Sequence, residues 1–171
     1  QVNPHFLYNT LQAIGSEALM NDEMGIYEML TRLAANMRYS IHGGNEVSLE
    51  REVEFTDNYI ELQKLRMGER LQVTQHINLD LAKTIVPKCS LQNVVENSIK
   101  YGIAGDISCL HLEIAAYKEK ATLKIQVSVN GAGMSKDTLR EIRERIHSGL
   151  TQLSGKSSGI GLANLYSRLQ I

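Results

Sequence analysis

With 171 residues, 43% of them hydrophobic, the chain is long enough for one ordinary domain or for a small helical unit joined to a compact α/β domain. Its formal net charge of −1 supplies no basic field, so we expect no contact with nucleic acid and none with a membrane surface. The two cysteines, Cys89 and Cys109, have neither metal-binding nor redox spacing and favour a reducing cytosol, and no apolar run reaches membrane-spanning length.

The first third of the chain has apolar residues at helical spacing. One stripe contains Leu7, Leu11, Ile14 and Ala18, and a second, after an interruption at Asn21 and Asp22, contains Ile26, Leu30, Leu33, Met37 and Ile41. Residues 42–46 have the composition of a loop. Ser48 is a suitable cap for a third helix, with Glu50 and Glu52 in its first turn, and this helix should end near Gly68. We place a boundary there, between a helical unit (1–68) and an α/β unit (69–171).

The period then changes from helix to strand. Leu71, Val73, Ile77 and Leu79 alternate with polar residues and predict a half-buried strand. Pro87 suits the first turn of a helix that runs to Gly102. Alternating residues at 110–116 and 123–129 predict a hairpin.

A capped helix should follow Ser135, with Leu139, Ile142 and Ile146 directed inward, and the segment with Leu162, Leu165 and Leu169 is also helical by period. The Gly/Ser/Lys-rich residues 148–159 between these two helices predict a mobile loop that could cover a ligand. Because strands and helices do not alternate regularly, the order predicts an α+β fold rather than a doubly wound sheet.

His5 shares a polar helix face with Asn9, Gln12 and Ser16, roughly opposite the first apolar stripe. Its ring should therefore face solvent or a partner. A neutral imidazole is a good nucleophile and proton carrier near pH 7, and Asn9, one turn further on, is placed to orient it. The same pattern also describes a plain surface histidine.

The predicted helix that ends at Gly102 also has a polar face, which is made of Asn93, Glu96, Asn97 and Lys100. An amide oxygen such as that of Asn97 suits Mg²⁺, and a lysine binds phosphate as a point charge. A carboxylate such as that of Glu96 can orient or deprotonate an attacking group. An ordinary amphipathic surface helix has the same composition, so this face alone leaves both interpretations open.

Two glycine pairs complete the candidate site. Gly131 and Gly133 follow a predicted strand, and Gly159 and Gly161 precede the last helix. Glycine permits close backbone approach to a ligand, and a helix start beside such a pair can bind an anion. Neither pair forms a GxGxxG or Walker pattern, and glycines also mark ordinary turns.

Taken together, these segments resemble the sensor histidine kinases related to the bacterial autolysis sensors, the internal-region family. "NPHFLYNTL" is similar to its phosphoacceptor motif, "LQNVVENSIKYGI" to its N box, "NGAGM" to its G1 box and "SSGIGLANLYSRL" to its G2 box. The helix that links the first two motifs is similar as well, so the resemblance covers nearly the whole chain. It implies a phosphoacceptor and dimerisation segment followed by a Bergerat-type α/β sandwich that binds ATP.

The resemblance also implies roles for the matching residues. His5 would receive the γ-phosphoryl group of ATP and pass it to an aspartate in the receiver domain of a response regulator, with Glu96 and Asn9 as catalytic partners. Asn97 would hold Mg²⁺. The residues implied to bind ATP are Asn93, Asn97, Lys100, Val129, Gly131, Gly133, Gly159, Gly161 and Leu162. The first helices would form a homodimer.

The chain departs from the family pattern at Val129, where the G1 box normally opens with an aspartate that accepts a hydrogen bond from the adenine amino group. Strand alternation directs Val129 inward, so it should pack well and weaken adenine recognition, while Ser128 and Asn130 point the other way. The family's last sheet strands and its sensor and membrane segments are absent from the sequence. We therefore expect a cytoplasmic fragment of an integral membrane sensor of a bacterium.

Two alternatives to a histidine kinase remain at this point. Because Val129 replaces the adenine-recognising carboxylate, the chain could act as a nucleotide-impaired scaffold or pseudokinase module. Another ATPase of the same fold, of the chaperone or repair type, is a third interpretation, against which the helix containing "NPHF" argues.

Overall fold

A computed structural model describes residues 4–103, 107–148 and 160–169 of the chain. Its helices are α1 (Pro4–Met20), α2 (Met24–Ile41), α3 (Leu49–Met67), α4 (Ser90–Gly102), α5 (Lys136–Ser148) and α6 (Ile160–Leu169). Its strands are β1 (Glu46–Ser48), β2 (Leu71–Ile77), β3 (Ile85–Pro87), β4 (Leu110–Glu119) and β5 (Thr122–Val129). A helical region followed by mixed helix and sheet confirms the predicted α+β class. The loop predicted at 148–159 lies almost wholly outside the described residues.

Helices α1 and α2 form a hairpin that packs through small residues. A side-chain carbon at Gly15 would lie 3.7 Å from atoms of Tyr27 and Leu30, and Ala18 and Ala34 are buried. The predicted burial of the two apolar stripes is confirmed only in part, because the line of contact between two helices covers a narrow arc of each helix. Five stripe members remain exposed on the hairpin: Leu7, Ile14, Ile26, Leu33 and Ile41.

Helix α3 joins this hairpin to the sheet. It begins and ends as predicted, with the Ser48 hydroxyl accepting a hydrogen bond from the Arg51 amide at 3.4 Å and with Gly68 at a positive φ of 59°. Ile60, in its second half, is buried in the same cluster as residues of α4 and of the sheet. The boundary at residue 68 stays a prediction.

The main sheet has the strand order β2-β4-β5. Strands β4 and β5 form the predicted antiparallel hairpin, whereas β2 and β4 pair in parallel, with α4 in the chain between them. Helices α3 and α4 contribute to its core, which consists of Ile60, Leu71, Leu91, Val95, Ile99, Leu110, Leu112 and Ile114. Strands β1 and β3 form a separate antiparallel pair.

Several predicted boundaries were wrong. Pro87 ends β3, paired with Glu46 of β1, and α4 begins only at Ser90 after Cys89 adopts a left-handed conformation with φ 59°. Glu46, assigned to a loop, is therefore a strand residue. Pairing between segments that are far apart along the chain decides both points, and no local pattern reports it. Leu79 lies in a short 3₁₀ turn beyond the end of β2.

Helix α5 follows Ser135, whose hydroxyl accepts a hydrogen bond from the Thr138 amide at 3.1 Å, as predicted. Ile142 and Ile146 are half-buried, but Leu139 is exposed rather than directed inward. Among the described residues, α6 is the only element with which α5 makes extensive contact. Its first turn therefore has little surface against which Leu139 could be buried.

Candidate functional site

The polar face of α4 is arranged as predicted. Leu91, Val95 and Ile99 are buried on one side of the helix. On the other side Asn93 and Asn97 are half-buried, and Glu96 and Lys100 are exposed. Two amides, a carboxylate and an ammonium group are therefore held on a helix that the core fixes in place.

Tyr59 of α3 lies beside this face, and sequence reasoning missed it. Burial raises the pKa of the Tyr59 hydroxyl, and the nearby Glu96 carboxylate raises it further. The phenol is thus a neutral group next to the predicted catalytic carboxylate. Because α3 and α4 are distant in sequence, only their packing could reveal this neighbour.

The loop after β5 approaches the end of α4 closely. A side-chain carbon at Gly131 would lie 2.8 Å from the Gly102 Cα and 3.2 Å from its carbonyl oxygen. Gly131 therefore serves helix–loop packing. Gly133 has a positive φ of 72°, and a side-chain carbon placed there would meet no atom within 4 Å, so the open side of the loop is at Gly133.

Val129 lies at the end of β5 and points inward as predicted. It pairs with Leu112 and packs against the main core cluster. The next residue, Asn130, is committed to the sheet, because its amide oxygen accepts from the His111 amide at 2.8 Å and its amide nitrogen donates to the Cys109 carbonyl at 3.1 Å. Neither residue presents a carboxylate, and the described parts of the loop contain none.

His5 is exposed on the first turn of α1, as the polar face predicted. The Asn9 amide nitrogen lies 3.3 Å from Nδ1 of its ring. The two groups are within hydrogen-bond distance, and the tautomer of the ring together with the orientation of the amide decides which of them donates. The principal contacts of α1 are with α2, and the structure does not bring His5 into the cluster on α4.

Helix α6 brings the last motif to the same region, since it packs on α4 and α5. Gly161 lies in its first turn and Leu162 is half-buried, while Gly159 falls outside the described residues. Arg168, near its end, donates a hydrogen bond to the Lys88 carbonyl at 2.8 Å and so fixes α6 against the segment that precedes α4.

A cavity of about 840 Å³ lies on the apolar side of α4. Its lining comes from β3, α4, β4, β5 and α6, and the residues that α4 contributes are Ser90, Leu91 and Val94. The predicted polar residues therefore face away from this cavity. The ligand site that they would form is an open surface between α4 and the loop after β5 that contains Gly131 and Gly133.

The donor chemistry on α4 fits a magnesium-bound polyphosphate. The described residues hold no group of three or more His, Cys, Asp and Glu side chains that could cage a metal ion. Mg²⁺ does not require such a cage, because it commonly takes one or two protein oxygens and completes its shell with water and phosphate oxygens. The Asn97 amide supplies a hard oxygen, and Lys100 supplies a cation for phosphate.

Two family models match the chain. The one described as "Histidine kinase" matches residues 1–71, and the one described as "Histidine kinase-, DNA gyrase B-, and HSP90-like ATPase" matches residues 90–170. Similar proteins include the sensor histidine kinase YesM of Bacillus subtilis (strain 168), 33% identical over 100% of this chain. The chain belongs to the sensor histidine kinase family.

Other relatives of this histidine kinase chain are sensor proteins named LytS. That of Streptococcus mutans is 30% identical over 100% of the chain, and that of Staphylococcus saprophyticus is 31% identical over 99%. The chain spans 28% of the length of YesM and 29% and 28% of these two LytS proteins. In the ranges that the structure describes, no helix is both long and apolar enough to cross a membrane.

Proposed function

We propose that this chain carries out ATP-dependent autophosphorylation on His5 and then transfers the phosphoryl group to an aspartate in a response-regulator receiver domain. The observation that carries the proposal is the position of His5, exposed on α1 with the Asn9 amide 3.3 Å from its Nδ1, in a chain of the histidine kinase family. An exposed, oriented imidazole is accessible both to a nucleotide and to a partner protein.

The proposed chemistry assigns one task to each polar group. In the reacting tautomer the ring proton is on Nδ1 and is donated to the amide oxygen of Asn9, so the lone pair of Nε2 is free to attack the γ-phosphorus of ATP. The N–P bond forms, and the bond from phosphorus to the β-phosphate oxygen breaks to release ADP. The phosphoimidazolium that results loses its Nδ1 proton to a base, and Glu96 is our assignment for that base. Asn97 would hold Mg²⁺, which neutralises phosphate charge when bound, and Lys100 would contact the phosphates.

We place the nucleotide between α4 and the loop after β5. Asn93 and Asn97 would approach the ligand from the helix, and Gly133 from the open side of the loop, where a side-chain carbon would meet no atom within 4 Å. Gly159, Gly161 and the Leu162 amide would cradle the phosphates at the start of α6. In this arrangement Gly131 contributes by holding the loop against Gly102 rather than by contact with adenine.

A scaffold or pseudokinase role is the second candidate function, and the packing of Val129 favours it. A valine packed against the core cluster offers no acceptor to the adenine amino group. The missing charge-assisted hydrogen bond corresponds to roughly 1.5–3 kcal/mol. That is on the order of a tenfold to hundredfold loss of affinity.

The test is incubation of the protein with γ-labelled ATP and Mg²⁺. We expect label on the wild type and none on His5→Ala. The matched control is His111→Ala, which removes another exposed histidine and should leave labelling unchanged. Label that persists in His5→Ala would contradict the role of His5. No label on the wild type, together with calorimetry that detects no ATP binding, would favour the scaffold.

A further inference from the structure

Glu52 of α3 is a buried carboxylate whose partners belong to other helices. It is 0% exposed, and each of its oxygens accepts hydrogen bonds. Oε1 accepts from the Leu91 amide at 3.1 Å, and Oε2 accepts from the Cys89 amide and from the Tyr39 hydroxyl, both at 2.9 Å. A buried charge is tolerated only with such compensation, so the position of Glu52 depends on all three donors.

Two of these donors lie at the start of α4: the amide of Cys89, the residue that precedes the helix, and the amide of Leu91 in its first turn. The Cys89 side chain makes no capping bond of its own. The first amides of a helix have no partner within it, and its N-terminus favours a negative charge. Glu52 therefore caps α4 from a different helix. The predicted nucleotide face of α4 begins at Asn93, within one turn of this cap.

The third donor connects the cap to the hairpin that contains His5. Tyr39 is in the last turn of α2, with its ring stacked on Phe55 of α3 at a centroid distance of 4.0 Å. The Lys88 ammonium lies 4.9 Å from the centre of the same ring and donates to the His42 carbonyl at 2.6 Å. The end of α2 is thus tied to the segment before α4 by Tyr39 and by Lys88.

We propose that Tyr39 and Glu52 are positioning residues, which set the hairpin that contains His5 relative to the helix that binds nucleotide. Neither residue belongs to the proposed catalytic or ligand-binding set. Their hydrogen bond is the point at which α2, α3 and the N-terminus of α4 meet. The pair acts on phosphoryl transfer to His5 through the orientation of α2 relative to α4. Only this kinetic consequence rests on the proposed function.

Tyr39→Phe tests the pair with the smallest change, because it keeps the ring on Phe55 and removes only the hydroxyl. Without nucleotide, amide hydrogen exchange at Cys89 and Leu91 should accelerate severalfold, since the cap loses one of the three donors that hold it. Tyr27→Phe on the same hairpin is the control, because its hydroxyl makes no hydrogen bond among the described residues. Unchanged exchange in Tyr39→Phe would overturn the coupling whether or not the chain is an active kinase.

The kinetic arm measures ATP affinity and the rate of His5 labelling in the same variants. We expect Tyr39→Phe to bind ATP within about twofold of wild type and to label His5 roughly tenfold more slowly, the effect of one charge-assisted hydrogen bond. A purely structural role would change neither quantity in the folded protein. Labelling at the wild-type rate would refute the positioning role, whereas an unlabelled wild type would refute the proposed kinase activity instead.

Discussion

Val129 occupies the last position of β5, where its methyl groups pack against the core cluster. In the proposed nucleotide site this position corresponds to the adenine-recognising aspartate of the G1 box. Packing and recognition would compete there, because a carboxylate would face apolar neighbours on one side and the proposed ligand on the other. Valine resolves the competition in favour of packing.

The substitution Val129→Asp should reverse that choice. We expect ATP to bind roughly tenfold to a hundredfold more tightly, because the carboxylate accepts from the adenine amino group. The free energy of unfolding should fall by about 1–3 kcal/mol, because a polar group replaces a packed side chain. Calorimetric titration with ATP and with GTP, combined with urea denaturation, measures both effects.

Val127→Asp is the matched control for this experiment. Val127 lies two residues earlier on the same face of β5 and packs against the same cluster. It should lose stability without any gain in affinity or in preference for adenine. If Val129→Asp also binds ATP no better than the wild type, residue 129 does not lie at the adenine end of the site.

At the scale of elements, the loop after β5 packs against the end of α4. Gly131→Ala would place a methyl carbon 2.8 Å from the Gly102 Cα, so the loop must move away from the end of the helix. We expect a loss of about 1–3 kcal/mol in the free energy of unfolding, as in other overpacked sites. The ATP affinity should fall with it, since Gly133 moves with the loop. Urea denaturation and calorimetry are the measurements.

Gly25→Ala serves as the comparison, because a side-chain carbon at this position in α2 meets nothing within 4 Å. A helical glycine in open space should gain about 0.5–1 kcal/mol when replaced by alanine. Equal stability of Gly131→Ala and wild type would mean that the loop does not pack on α4 as described.

Local periodicity predicted the elements that depend on near neighbours in sequence. The two faces of α4, the β4–β5 hairpin and the inward direction of Val129 all follow from spacings of two or of three to four residues. Pro87 was misplaced because its partner is Glu46. Such pairing over a long sequence distance has no local signature.

The residues of the candidate site likewise fall into those that local spacing predicted and those that depend on contacts between distant elements. The positions of His5 and of the α4 polar face relative to their own helices were predictable, whereas Tyr59 and the contact of Gly131 with Gly102 depend on how elements meet. Glu52 was interpreted as a favourable charge in the first turn of its own helix. A signal was available, since Glu52, Thr56 and Ile60 recur every four residues on the buried face of α3.

At the scale of the whole molecule, the hairpin of α1 and α2 has an extensive apolar surface. Phe6, Leu7, Ile14, Ile26 and Leu33 are all exposed on it. Large apolar side chains that gather on an exposed surface commonly mark an interface between proteins. A second copy of the hairpin is the partner that we propose, consistent with the homodimer implied by the resemblance.

Ile14→Glu should weaken this dimer. Ile14 is 49% exposed, and loss of its burial between two copies, with a charge in its place, should raise the dissociation constant more than tenfold. Sedimentation equilibrium over a range of concentrations measures the change. Leu65→Glu replaces a similarly exposed residue of α3, outside the hairpin, and should leave the dimer intact. Equal dissociation constants for the two variants would place the interface elsewhere.

The parallel pairing of β2 with β4 has a consequence for the order of folding. Elements joined by a short turn can pair early in folding, because only that turn must close. The helices of the α1–α2 hairpin are one example, and strands β4 and β5, joined by Lys120 and Ala121, are another. Leu71 meets Leu110 only after the intervening chain, with α4, has closed. Closure of so long a segment costs entropy before any ladder bond forms, so it should limit the refolding rate of the α/β unit. The polar face proposed to bind nucleotide lies within that closing segment, and it is therefore assembled late, in the step that completes the sheet.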